Sequence, residues 1–132
     1  MTTKQDLQNF RALRFEQKRL QEELTQIEYR LISLQSPVLT GLPSGGIKSS
    51  IDDKIASVER IHGKYKTLCN QCADEQARIE NDLAKLDPTE RNLIRLRYFD
   101  GLQWFEVARM LNYSDSMIYV LHGNILNKLK TL

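Results

Sequence analysis

Near the start of the chain, a series made of apolar residues and one polar residue, Gln17, alternates spacings of three and four without a break. This spacing is the heptad seam of a coiled coil, in which a long helix buries one stripe against another helix. Charges of both signs occupy the flanks, as expected of a solvated helix face. The pattern predicts a long first helix that needs a helical partner. Its predicted oligomer seam is Phe10, Leu13, Leu20, Leu24, Ile27, Leu31 and Leu34.

A second helical pattern runs from Ile51 to Leu86. Between the two patterns, residues 35–50 contain Pro37, Pro43 and the pair Gly45-Gly46, which predicts a connector rather than one continuous rod. Residues 1–86 are thus expected to form a helical hairpin or coiled-coil oligomerisation region, closed within one chain or between subunits of a homodimer or higher oligomer. The predicted seam of the second helix is Ile51, Ile55, Val58, His62, Tyr65, Leu68, Cys69, Cys72, Gln76, Ile79, Leu83 and Leu86.

Residues 87–132 have the pattern of a compact helical unit. Asp87-Pro88-Thr89-Glu90 places a cap, a proline at the first helical position and a glutamate able to bond back to the cap. Asp100-Gly101 is expected to end this helix, since glycine adopts the left-handed backbone most readily. The inward stripe of the helix is predicted to be Leu93, Ile94, Leu96, Tyr98 and Phe99.

The segment from Trp104 onward predicts a helix-turn-helix. Such a motif needs a small residue where the helices cross, a tight turn and a second helix with one face free for a groove. Ala108 suits the crossing, Asn112 tolerates a left-handed turn, and Ser114 can cap the second helix. The inward positions are predicted to be Val107, Leu111, Tyr113, Ile118 and Leu121.

These residues resemble region 4 of bacterial sigma factors. With the helical segment in front of it, the chain resembles the ArpU-like or RinA-like regulators of Gram-positive phages and prophages. The resemblance implies an all-α fold, with a long hairpin or coiled coil followed by a region 4-like unit over residues 87–132. It rests on Asp87-Pro88-Thr89-Glu90-Arg91, Leu96-Arg97-Tyr98, Asp100-Gly101-Leu102, Trp104, Glu106-Val107-Ala108 and Leu126-Asn127-Lys128-Leu129.

The resemblance also implies that the last helix enters the major groove of DNA. Base-reading candidates are Ser114, Asp115, Ser116, Tyr119, Val120 and Asn124. The chain departs from the family in having no Arg or Lys between Ser114 and Asn127, although Arg is the commonest reader of guanine. Each cation near this region is as consistent with a solvated surface charge as with a phosphate contact. The candidates for phosphate contact are Arg95, Arg97, Arg109, Lys128 and Lys130.

Composition and charge restrict the function classes. Residues 87–132 carry six Lys/Arg and five Asp/Glu, a net charge of +1, so strong nonspecific attraction to nucleic acid is not expected. Cys69 and Cys72 lack a second cysteine pair, and we interpret them as core or seam residues. No residue pattern indicates a metal, a cofactor, catalysis, a signal peptide or a membrane span.

The sequence therefore predicts a phage-type, DNA-binding transcription regulator in the cytoplasm of a bacterial host cell. Its expected partners are double-stranded DNA, RNA polymerase and further copies of itself. Two alternatives stay open: a protein-interaction module that docks on RNA polymerase or a phage assembly component, and a DNA-packaging recognition subunit.

Overall fold

The computed structural model describes residues 1–34 and 44–131, and all regular structure in these ranges is helical. The predicted all-α fold class is confirmed. The elements are α1 (Lys4–Leu34), α2 (Ser44–Leu83), α3 (Pro88–Ile94) with a π-helical turn (Arg95–Phe99), α4 (Trp104–Leu111) and α5 (Asp115–Thr131).

Contacts divide the chain into two compact units. The head unit comprises Met1–Phe15 and Gln71–Leu132, and the arm unit comprises Glu16–Asn70. The expected boundary between residues 86 and 87 is the start of α3, whereas the head unit also includes the start of α1 and the end of α2. The C-terminal helices thus share their compact unit with segments that the sequence assigned to the hairpin.

In the arm unit, α1 and α2 run antiparallel. Gln17 Nε2 donates to Cys69 Sγ at 3.1 Å, and Glu28 Oε1 lies 3.0 Å from His62 Nε2, so numbers rise along one helix as they fall along the other. The prediction that His62 lies in the seam is wrong. Ile61 is buried in its place, while His62 lies at the exposed edge of the helix pairing, where it contacts Glu28.

The predicted seam of α1 is covered to different degrees within the chain. Phe10 and Leu24 are buried, with 1% and 5% of their surface exposed. Leu13, Leu20, Ile27 and Leu31 are half-buried, and the side chain of Leu34 lies outside the described residues.

Helix α2 begins earlier than the sequence predicted. Ser44-Gly45-Gly46, expected to belong to the connector 35–50, form its first residues. Two glycines at a helix end cost only about 1 kcal/mol each relative to alanine, which the rest of a long helix easily offsets. The remainder of the expected connector, residues 35–43, lies outside the described residues.

The core of the head unit draws on all its helical segments. Leu7 and Phe10 from α1 are buried, as are Ile79 and Leu83 near the end of α2. In the head unit, α1 and α2 again run antiparallel, since Thr2 Oγ1 donates to Asp82 and Arg78 lies 3.8 Å from Asp6. The C-terminal helices contribute Leu93, Ile94, Tyr98, Phe99, Val107, Ala108, Ile118, Ile125 and Leu129.

The start of α1 is fastened to the turn that precedes α4. The rings of Phe10 and Phe99 meet edge to face, with centroids 4.9 Å apart. Beside them, Arg11 donates to the carbonyls of Arg97 and Gly101, and Arg14 donates to that of Phe99, each at 3.3 Å. Carbonyls at a helix end lack partners within the helix, so these guanidinium groups satisfy them.

The predicted start and stop signals of the helical segment over residues 88–99 are confirmed. The Asp87 carboxylate accepts from the Glu90 amide at 2.9 Å, and Glu90 Oε1 accepts from the Asp87 amide at 3.2 Å. Gly101 has a positive φ of 74°, and the Leu102 amide donates to the Leu96 carbonyl at 3.0 Å. The sequence thus predicted both the start of α3 and the end of the π-helical turn.

We expect Phe10→Ala to destabilise the head unit by about 3–5 kcal/mol, because it removes a fully buried ring and leaves a cavity against Phe99. The measurement is urea unfolding followed by fluorescence of the single tryptophan, Trp104. Phe15→Ala is the matched control on the same helix, since Phe15 is 72% exposed. Equal losses in both variants would contradict the role of Phe10.

Candidate nucleic-acid interface

Helices α4 and α5 are joined by the tight turn that a helix-turn-helix requires. Asn112 has φ 60° and ψ 41°, the left-handed conformation predicted for it. The Tyr113 amide donates to the Ala108 carbonyl at 2.9 Å, and Ser114 Oγ accepts from the Met117 amide at 3.2 Å. The turn therefore ends α4 and caps α5 with the residues that the sequence indicated.

The crossing of the two helices is tightly packed. Val107 and Ile118 are fully buried, and Ala108 is 2% exposed, as predicted. Leu111 is only half-buried, and the prediction of an inward Tyr113 is wrong, because this side chain, in the segment between α4 and α5, is 39% exposed.

The inward face of α5 differs from the predicted one at a single position. Ile118, His122, Ile125 and Leu129 are buried, whereas Leu121 is half-buried. Spacings of four, three and four residues carry this face through His122. Leu121 is apolar and therefore fits the predicted stripe, whereas the burial of the polar His122 is not part of that prediction.

His122 is held in an aromatic cluster. Its Nε2 lies 2.7 Å from the Tyr98 hydroxyl, and its ring meets the Trp104 ring edge-on with centroids 4.5 Å apart. Burial, assisted by the positive charges of Lys4 and Arg97, lowers the pKa of His122 to about 4. The imidazole is therefore neutral at physiological pH and serves as a polar member of the core.

All six base-reading candidates lie on the exposed surface of α5 and its cap. They are Ser114, Asp115, Ser116, Tyr119, Val120 and Asn124. The Tyr119 ring packs against the Trp104 ring, with centroids 5.5 Å apart, and this contact orients it. The others project from the turn and the outward side of the helix, where a DNA groove has access to them.

Three of the five phosphate candidates have partners inside the molecule. Arg95 makes two hydrogen bonds to the Glu80 carboxylate, at 3.0 and 2.7 Å, and this partner raises its pKa. Lys128 Nζ donates at 2.6 Å to Glu90, a carboxylate that is only 3% exposed. Arg97 lies 4.6 Å above the Trp104 ring and donates to the Leu102 carbonyl at 3.1 Å.

Within residues 1–34 and 44–131, Arg109 and Lys130 are the two exposed phosphate candidates that make no ion pair with a carboxylate. The Arg109 guanidinium stacks over Phe105 at 5.6 Å. A stacked guanidinium keeps its charge and its outer N–H groups, so it remains able to donate to a phosphate. The geometry thus favours these two cations over Arg95, Arg97 and Lys128.

In the described ranges, no group of three His, Cys, Asp or Glu residues is arranged to hold a metal ion. Cys72 is buried and Cys69 half-buried in α2, which agrees with their interpretation as core and seam residues. No helix of the described ranges combines the length and apolar character that a bilayer crossing requires.

Comparison with known proteins identifies the C-terminal segment. Residues 83–131 match the family model described as Sigma-70, region 4. These residues form a sigma region 4-like helix-turn-helix, a type of DNA-binding domain, as the sequence resemblance implied. Neither the comparison with curated proteins nor that with solved structures gave a match.

The buried His122 makes stability depend on pH. Its pKa is about 4 in the folded chain and about 6.5 when unfolded, so the unfolded state binds the extra proton between these values. The free energy of unfolding has its full value above pH ~6.5 and falls by about 3 kcal/mol as the pH drops to ~4. We expect His122→Gln to flatten this slope in chemical unfolding measured across the range.

His62→Gln is the matched control, because His62 is exposed in the arm unit. This variant should leave the pH dependence of the head unit's free energy of unfolding unchanged. A wild-type slope retained in His122→Gln would contradict the assignment.

Proposed function

We propose that this chain is a phage-type transcription regulator that binds double-stranded DNA near a promoter through the outward face of α5. One observation carries the proposal. Helices α4 and α5 form a packed helix-turn-helix, and the outward side chains of α5, its recognition helix, are exposed. The match to region 4 supports this use of α5. The phage assignment rests on the ArpU-like or RinA-like resemblance.

In the proposed complex, the cap and first turns of α5 lie in the major groove. Ser114, Asp115 and Ser116 lie at the N-terminal end, whose backbone N–H groups favour phosphate or base acceptors. Arg109 on α4 and Lys130 at the end of α5 supply phosphate contacts. Two such cations give modest affinity, which makes binding depend strongly on base contacts and on the number of heads engaged.

We propose that the regulator acts as a homodimer or higher oligomer. In the arm unit, Tyr29 and Ile32 are 72% and 69% exposed and lie one helical turn apart on α1. Two large apolar side chains on adjacent turns supply a contact for a second copy. Linking two heads raises the effective concentration of the second once the first is bound. RNA polymerase is the further partner that the region 4 resemblance implies.

A protein-docking function is the second candidate. On α4, Phe105 and Met110 are 47% and 61% exposed, which is unusual for large apolar side chains on a small helical unit. Such residues suit a protein interface. In this alternative, the C-terminal unit binds a polymerase surface or a phage assembly component in place of DNA.

We expect Asn124→Ala to weaken specific DNA binding roughly tenfold and nonspecific binding little, because an Asn amide pairs with adenine in the major groove. The measurement is equilibrium binding to a selected DNA site and to unrelated DNA. Asn70→Ala, on an exposed position of α2, is the control. Equal losses on both DNAs would remove Asn124 from base readout.

Replacing Arg109 with Gln should weaken binding to all DNA sequences alike. Loss of one phosphate contact reduces the slope of log K against log salt by about 1. Arg60→Gln, at an exposed position of the arm unit, should leave the slope unchanged. A slope unaffected by Arg109→Gln would place this cation outside the DNA interface.

A further inference from the structure

The outward face of α5 contains four residues whose properties are unusual for a DNA-reading surface. We call Met117, Val120, Gly123 and Asn124 the neutral patch. Met117 and Val120 are 49% and 55% exposed, and Gly123 and Asn124 are exposed as well. At 100° per residue these positions lie opposite the buried stripe of Ile118, His122, Ile125 and Leu129. Residues 116–127 contain no Asp, Glu, Lys or Arg.

Gly123 is the most informative member of the patch. It lies in the interior of α5, where glycine is less favourable than alanine because it orders a more flexible backbone. A Cβ at this position would meet nothing within 4 Å, so packing inside the molecule does not require glycine. Glycine also occurs where a backbone must approach a ligand closely, and an outward position on a recognition helix meets that condition.

The chemistry of the patch fits one kind of base pair. Thymine presents a methyl group in the major groove, which apolar side chains contact, and adenine presents the N6 and N7 pair that an Asn amide reads. Guanine is read chiefly by Arg or Lys, and the patch has neither. Val120 lies one turn before Asn124, and Met117 lies one turn before Val120, so the three side chains follow one another along the same side of the helix and suit successive base pairs.

We propose that the neutral patch reads A·T base pairs in the major groove, with Gly123 as the point of closest approach between the backbone of α5 and DNA. This inference rests on the proposed function, since it assigns the base pairs that the recognition helix contacts. Val120 and Met117 contact thymine methyl groups, and Asn124 pairs with adenine. Asp115 and Tyr119 lie outside the patch.

The first test compares three duplexes of equal length at low salt, measured with the full chain: alternating A-T, alternating G-C, and alternating A-T with deoxyuridine in place of thymidine. We expect the A-T duplex to bind roughly tenfold more tightly than G-C. Deoxyuridine lacks only the methyl group, so affinity should fall about fourfold for each methyl that the patch contacts.

Each outcome of this comparison decides a different point. Equal binding to all three duplexes would overturn the A·T readout and leave the proposed function standing. Affinity for the A-T duplex that deoxyuridine leaves unchanged would overturn the methyl contacts of Met117 and Val120. If Asn124→Ala then also kept the A-T preference, DNA shape would explain it, and the whole inference would be overturned. Binding to none of the duplexes would contradict the proposed function itself and favour a protein partner.

A second test separates stability from recognition. Gly123→Ala should raise the melting temperature by about 4 °C, because alanine favours the helix, yet weaken binding to the A-T duplex roughly tenfold by holding the backbone away. Gly63→Ala is the matched control: Gly63 also has nothing within 4 Å of a Cβ, and it lies in α2 of the arm unit. It should leave DNA binding unchanged. Unaltered binding by Gly123→Ala would overturn the close approach.

Discussion

The contact of Phe10 with Phe99 is the interaction on which the head unit depends. It places the start of α1 against the π-helical turn, where Arg11 and Arg14 bond the carbonyls that the turn leaves open. That turn leads directly into α4, so its position fixes where the helix-turn-helix begins. The DNA-binding segment is thus completed by residues from the far end of the chain, and its stability is inseparable from theirs.

In the proposed function, the two faces of α5 have separate roles, one in stability and the other in recognition. Inward, a neutral His122 bridges Tyr98 and Trp104, and Lys128 reaches the buried Glu90, which also caps α3. Cations that would otherwise serve DNA binding are therefore used to hold the fold. Outward, the helix is neutral and partly apolar. In the proposed complex, such a surface discriminates between bases more than it attracts the DNA backbone, so binding gains from more than one copy of the head unit.

Local rules predicted much of the fold, while long-range partners stayed hidden. The capping box at Asp87, the left-handed Asn112 and the Gly101 stop follow from backbone preferences of single residues. The partners of Phe10, Arg95 and Lys128 are distant in sequence. A heptad pattern or a charged residue does not by itself predict which distant residue it contacts. The burial of His122 does not follow from an apolar pattern, because it depends on a hydrogen bond between Nε2 and the hydroxyl of the distant Tyr98.

The most direct test of sequence-specific binding by α5 is an electrophoretic shift assay of the purified full chain. The probes are fragments of its own encoding genome, at low and moderate salt, with an excess of unrelated DNA as competitor. We expect at least one fragment to stay bound against the competitor and salt to weaken the complex. If no fragment shifts even at low salt, α5 does not read DNA, and the exposed helix-turn-helix face is a surface for a protein.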